Sequence, residues 1–267
     1  MTHCKLSLLV AAVLCAPLAA QSESADPCAA LTRLKIDGVE ITKAALAPAG
    51  TSIPPPYPGA QGIGPLPAHC RVDGIINRRK GIDGQEFGIG FALAMPEPAA
   101  WNGDFMMQGG GGGNGIIAYP AGANYAGDKP ALTRGFAVAS TDTGHKAKTG
   151  AFDFSFMRDQ QAHLDFAFLA NAEVAGVSKQ IIATYYSKPA AYSYFVGCST
   201  GGREGMILSQ RYPTAFNGIV SGDPAMRTGL SNLAIGQWIP VAYNQAASRR
   251  PTCDNSICLR RHTKSLG

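Results

Sequence analysis

The stretch YSYFVGCSTGGREGMILSQRYP, residues 192–213, decides the fold. Tyr192, Ser193, Tyr194, Phe195 and Val196 form a short β-prone run, Gly197-Cys198-Ser199-Thr200-Gly201-Gly202 breaks it, and helix-forming residues continue from Arg203 until just before Pro213. The order predicts a strand, a tight turn and a helix. Within the turn, Gly197-Cys198-Ser199-Thr200-Gly201 matches G-x-S-x-G, in which flanking glycines let the backbone turn sharply enough to lift a serine hydroxyl above a sheet. So short a pattern arises by chance, and the flanking strand and helix give it its weight. In that geometry Ser199 sits at a helix N-terminus, where free backbone N–H groups, that of Thr200 among them, stabilise an oxyanion. A plain glycine-rich turn with a capping serine is the structural alternative.

Upstream, residues 105–108 read as a strand running straight into Gly109-Gly110-Gly111-Gly112-Gly113-Asn114-Gly115. Glycine runs are commonly linkers, but linkers separate self-sufficient domains. This run joins an apolar strand to more core-like sequence, which favours backbone N–H groups left bare beside a reacting centre. Further strands are predicted at 70–76, 87–95, 136–141 and 218–221. Helices are expected at 159–175 with Gly176 as stop, at 179–186 before Pro189, and at 230–244. Strands alternating with helices imply an α/β fold, a mostly parallel sheet covered on both faces with ligands at the carboxyl ends of its strands.

The ends of the chain differ from this middle. Residues 1–20 read as an export signal, with Lys5, an apolar stretch too short to span a bilayer, and a small-residue cleavage site at Pro17-Leu18-Ala19-Ala20. A secreted or periplasmic location is therefore expected. Residues 21–69, broken by Pro54-Pro55-Pro56-Tyr57-Pro58, read as an N-terminal arm with a strand near 40–45, tied to the body by a Cys28–Cys70 disulfide. Residues 70–245 form the main domain. Of seven cysteines, Cys4 and Cys15 leave with the signal; Cys28, Cys70, Cys198, Cys253 and Cys258 remain, so at least one lacks a partner within the chain. No metal set is legible around Cys253 and Cys258.

At 267 residues, 46 % hydrophobic and 15 % charged, the chain is long enough to bury the core of one domain. Its net charge of +5 is uneven. Residues 246–267 hold five basic side chains (Arg249, Arg250, Arg260, Arg261, Lys264) and one acid (Asp254), leaving only +1 for the rest. This atypical basic tail lacks interleaved aromatics, and neither a nucleic-acid nor a membrane partner is expected.

A serine nucleophile needs a base, and the base a carboxylate to orient it. After Ser199 the chain offers Glu204, Asp223, Asp254 and His262. Glu204 lies in the helix that follows the serine turn, the nucleophile elbow; Asp223 follows the next strand too closely, and His262 sits in the tail. His145 and His163 precede the serine and fit the order serine, acid, histidine badly. Lone histidines of that kind are more often structural.

GCSTGGREGMILSQRYPTAFNGIVSGDPA (197–225), with MMQGGGGGNG (106–115) and STDTGHKA (140–147) upstream, resembles the tannase and feruloyl esterase family over residues 28–244. The resemblance implies a secreted α/β-hydrolase cleaving small aromatic esters, such as feruloyl or galloyl esters, with Ser199 as nucleophile. It implies an oxyanion hole from the Thr200 amide and an amide within Gly110, Gly111 and Gly112. It also implies a disulfide from Cys198 to a cysteine beside the catalytic histidine. In that family a large lid with a structural calcium, the acid, and the histidine follow later. The expectation is therefore an incomplete hydrolase core, a truncated or frame-shifted chain with lid and last strands missing, nearly inactive and with no cofactor of its own. Three rivals stand beside it: Cys198 as the nucleophile of a thiol hydrolase, a serine peptidase, and a non-catalytic phenolic or glycan binder on a hydrolase scaffold.

Overall fold

The computed structural model describes residues 26–55, 61–122 and 129–247. The expected export signal, Cys253, Cys258, His262 and the basic charges of the tail lie outside the described residues. Nine strands are described: β1 Val39–Ala47, β2 Thr51–Ile53, β3 Ile63–Leu66, β4 His69–Lys80, β5 Glu86–Pro96, β6 Phe105–Gln108, β7 Ala137–Thr141, β8 Ser193–Cys198 and β9 Gly218–Gly222. The α-helices are α1 Pro27–Ala30, α2 Gln160–Leu164, α3 Ala170–Tyr186, α4 Thr200–Arg211, α5 Thr228–Leu233 and α6 Ile239–Ala247.

Seven strands form one sheet in the order β1-β4-β5-β7-β6-β8-β9. Pairing is antiparallel from β1 through β4 and β5 to β7, then parallel through β6 and β8 to β9. The long β4 and β5 are a hairpin. The short central strands need crossover connections, and a strand buried on both faces reads as an unbroken apolar run. In β6, Phe105 and Met107 join the cluster under α3 while Met106 joins the cluster on the opposite face. Val174, Val177, Ile181 and Ile182 of α3 and Leu208 of α4 pack on the first of these faces with Phe91, Leu93 and Phe195.

One expectation fails at Gly176. The predicted stop lies inside α3, which runs on to a left-handed Ser187 (φ 56°). Gly176 faces solvent, whereas Val174, Ala175, Val177, Ser178, Ile181 and Ile182 are all buried. A continuous buried face outweighs the ~1 kcal/mol that an interior glycine costs a helix. The helix is also fed by a π-helical turn, Asp165–Leu169, after α2, whose first turn is capped by the Asp159 carboxylate accepting from the Ala162 amide at 2.9 Å.

The arm is doubly anchored. Its strand β1 pairs along β4, and Cys28 and Cys70, both fully buried, form the expected disulfide. A cross-link spanning 42 residues restricts the unfolded chain by up to about 4 kcal/mol. Cys28→Ser is therefore expected to lower unfolding stability by roughly 2–4 kcal/mol in oxidising urea titrations and by nothing further under reducing conditions. An unchanged urea midpoint in oxidant would show that the arm holds without the bridge.

Candidate active site

Strand β8 ends at Cys198 and α4 begins at Thr200, leaving Ser199 alone in the turn with φ 58° and ψ −117°. A non-glycine residue persists there only where the surroundings over-determine it. Three backbone bonds do so: the Ser199 amide donates to the Gly222 carbonyl at 3.0 Å, and its own carbonyl accepts from the Arg203 and Ala225 amides, each at 3.0 Å. Close approach does the rest. A Cβ at Gly197 meets the Gly201 carbonyl oxygen at 2.5 Å and its carbonyl carbon at 2.6 Å, and one at Gly202 lands on the Gly222 carbonyl.

The glycine loop lies against the elbow. The Gly110 carbonyl accepts from the Gly201 amide at 3.0 Å, and the Thr200 hydroxyl donates to the Gly112 carbonyl at 2.5 Å. The Gly110 amide donates to Glu204 Oε2 at 3.1 Å, which narrows the expected donors among Gly110, Gly111 and Gly112, since the first is already engaged. Among the described residues the amides of Thr200, Gly111 and Gly112 have no hydrogen-bond partner. Thr200 is the first residue of α4, so its N–H is one of the free donors of a helix N-terminus, with the dipole adding positive potential.

Ser199 and Thr200 open onto a cleft of about 680 Å³ whose walls include Phe152, Phe154, Met157, Phe166, His163 and Arg203. Phe152 is 76 % exposed and Phe154 40 %, so this aromatic rim faces the opening. Arg203 is held in the cleft wall. Its guanidinium donates to the Phe166 and Ala167 carbonyls, both at 3.1 Å, and lies 4.5 Å from the Phe166 ring centroid; burial lowers its pKa. The arrangement provides an apolar slot, free amides from Thr200 and the glycine loop, and an exposed hydroxyl.

The histidines separate. His163 is exposed and lines the Ser199 cleft. His145 is buried, stacks on Phe156 at 3.5 Å between ring centroids, and neither ring nitrogen has a hydrogen-bond partner among the described residues. Burial pushes its pKa down to about 4, so it is neutral at pH 7. It lines another cavity, of about 270 Å³, together with Asp142, whose carboxyl burial raises to about 7. No acid or base hydrogen-bonds the Ser199 hydroxyl among the described residues. Cys198 is exposed and unbridged among them. No cluster of three or more His, Cys, Asp or Glu suited to a metal is found among them either.

Glu204 is what the sequence reading missed, having weighed it only as a catalytic acid. The legible signal was its place on the helix. Gly201, Glu204, Gly205 and Leu208 recur at the spacing of one face, and all four are buried.

A strained serine between a parallel strand and a helix, with free amides from that helix and from a glycine loop after an earlier strand, defines an α/β-hydrolase. The description "Tannase and feruloyl esterase" belongs to the family model that matches residues 70–251. The chain belongs to the tannase and feruloyl esterase family. It is 39 % identical over 196 residues to mono(2-hydroxyethyl) terephthalate hydrolase of Piscinibacter sakaiensis, a match covering 71 % of this chain and 32 % of that protein. It is 32 % identical over 227 residues to a probable feruloyl esterase B-2 of Neosartorya fischeri, covering 83 % and 40 %. The solved feruloyl esterase B from Aspergillus oryzae superposes with a TM-score of 0.61 at 27 % identity, over 74 % of this chain and 37 % of that one. The chain thus spans about a third of the length of the relatives it matches.

Proposed function

We propose that the chain carries the nucleophile and oxyanion hole of a serine carboxylic-ester hydrolase acting on esters of aromatic acids, feruloyl or galloyl esters among them. The observation that carries this reading is Ser199 itself, strained, exposed and sharing the aromatic cleft with Thr200 and Gly112, whose amides are free. The Ser199 oxygen attacks the ester carbonyl while a base takes its proton. The carbonyl oxygen, now negative, is received by the Thr200 amide and a glycine-loop amide, and the alcohol leaves with a proton. Water then attacks the acyl-serine by the same route and releases the acid. An aryl acyl group suits the slot between Phe152, Phe154 and Phe166, where ring contacts add to simple burial. The relatives named for terephthalate and feruloyl esters support the same substrate class. Export through residues 1–20 to an oxidising compartment belongs to this proposal, and the Cys28–Cys70 bridge supports it.

Fluorophosphonate labelling, with the adduct located by mass spectrometry, tests the reading. Labelling is expected at Ser199, and no adduct at position 199 is expected in Ser199→Ala. With no base hydrogen-bonded to Ser199 among the described residues, a non-catalytic phenolic binder is the second reading; it requires aromatic-ester binding to survive Ser199→Ala with no turnover before or after the change. His163→Ala then asks whether the imidazole sharing the cleft supplies any of the rate.

A further inference from the structure

Glycine runs have more conformational freedom to lose than any other sequence, so an amide within one is held in place only if something clamps it. An anion hole needs its donors fixed to within about half an ångström. The clamp is visible beneath the loop. Glu204, buried in the elbow helix, accepts the Gly110 amide on Oε2 at 3.1 Å and the Asn114 side-chain amide on Oε1 at 2.6 Å. These two bonds grip the loop on either side of Gly111, Gly112 and Gly113. Asn114 itself sits in the left-handed region (φ 52°), and its Oδ1 is buried without a partner.

We propose that Glu204 is a positioning residue that clamps the glycine loop through Gly110 and Asn114, holding the loop's free amides, those of Gly111 and Gly112, so that one serves as the second oxyanion donor beside Thr200. This rests on Ser199 being the nucleophile. Because Gly110 is taken up by the clamp, the amides left to the reacting oxygen are those of Gly111 and Gly112, and Gly112 lines the Ser199 cleft. A neutral group serves better than a carboxylate, since a second negative charge behind the loop opposes the developing oxyanion. Burial raises the pKa of the Glu204 carboxyl, and the Gly110 and Asn114 amides that it accepts work against that rise. A glutamine keeps an acceptor for Gly110 and, with the Asn114 amide turned over, replaces the second tie by donating to Asn114 Oδ1.

The test compares Glu204→Gln with Glu204→Ala in the full chain. Two readouts are taken: hydrogen exchange of peptides spanning 109–115, and the second-order rate of Ser199 labelling by fluorophosphonate. Glu204→Ala is expected to speed exchange of the loop at least about tenfold and to slow labelling at least about thirtyfold, whereas Glu204→Gln stays within about threefold of the parent in both. For any ester turned over, the Ala loss is expected in kcat with KM little changed, the mark of an interaction made in the transition state. A folded Glu204→Ala that labels at the parental rate overturns the proposal, as does a Glu204→Gln that is slow despite a protected loop. Should Glu204→Ala fail to fold, Asn114→Ala removes one of the two ties, and parental exchange and labelling in that variant overturn the clamp. A parent chain that never labels counts against Ser199 as nucleophile, and the exchange data then judge the clamp alone, with no rise in Glu204→Ala overturning it.

Discussion

Gly197→Ala and Gly202→Ala are each expected to cost the folded chain about 3 kcal/mol or more, while Gly111→Ala costs no more than about 0.5 kcal/mol. At 197 the new methyl sits 2.5, 2.6 and 2.8 Å from three backbone atoms of Gly201, and at 202 it strikes the Gly222 carbonyl and approaches Pro224 Cα at 2.8 Å. None of these neighbours is a side chain that can swing away. Relief requires α4 to move off β8 and β9, which surrenders the burial of Leu208 and the bonds that hold Ser199 in its strained conformation. At Gly111 no atom lies within 4 Å of the added carbon. Urea unfolding of the three variants measures the difference as shifts in midpoint at constant slope. Equal midpoints for all three would mean that the elbow is packed far more loosely than its geometry states.

The second large effect is hidden in the parent and appears only when one of two partners is removed. Asp142 has an ordinary pKa of 3.8 in the unfolded chain and about 7 in the folded one. Its contribution to stability is fully present below about pH 4 and is lost as pH rises toward 7, because the unfolded state ionises first. His145 runs the other way, from 6.5 unfolded to about 4 folded. Its contribution is complete above pH 6.5 and is lost as pH falls toward 4. Between these limits each state holds one proton, on Asp142 when folded and on His145 when unfolded, so the two dependences cancel. Asp142→Asn keeps an oxygen to accept the Gly90 and Gly144 amides and leaves His145 alone, so stability relative to the parent is expected to rise by about 1.4 kcal/mol per pH unit from 4.5 to 6.5. His145→Gln is expected to reverse the sign. Urea titrations at pH 4.5, 5.5 and 6.5 measure both slopes, and variant curves parallel to the parent's would refute the coupled account.

How much of this was legible beforehand follows from which forces act locally. The elbow was readable because strand, glycines and helix are adjacent in the chain and each obeys short-range rules. The FMMQ strand was readable because four consecutive apolar or neutral residues running into glycine fit a strand buried on both faces. Gly176 misled because helix propensity is a local preference of about 1 kcal/mol, and the apolar face that overrides it meets partners from distant strands. The Cys28–Cys70 bridge was within reach because compartment and spacing narrow the choices. Glu204 was not read for its role, since a buried carboxylate has meaning only once the two donors opposite it, 90 and 94 residues earlier, are known. The separation of His145 from His163 was likewise invisible, as it depends on which cavity each loop faces.

The contacts that join the glycine loop to the elbow span 88 to 94 residues of chain. Between them lie β7 and α3, and β6 and β8 become neighbours only after that whole segment has been laid across the sheet. Loop closure of this length comes at an entropic cost before any contact rewards it, and parallel pairings of this kind form slowly. The elbow's turn can therefore form early from local sequence while its reactivity waits for topology. A reagent that reads the serine in time after dilution from denaturant reports the closing of the crossover, and its onset dates the moment at which the two halves of the sheet become one.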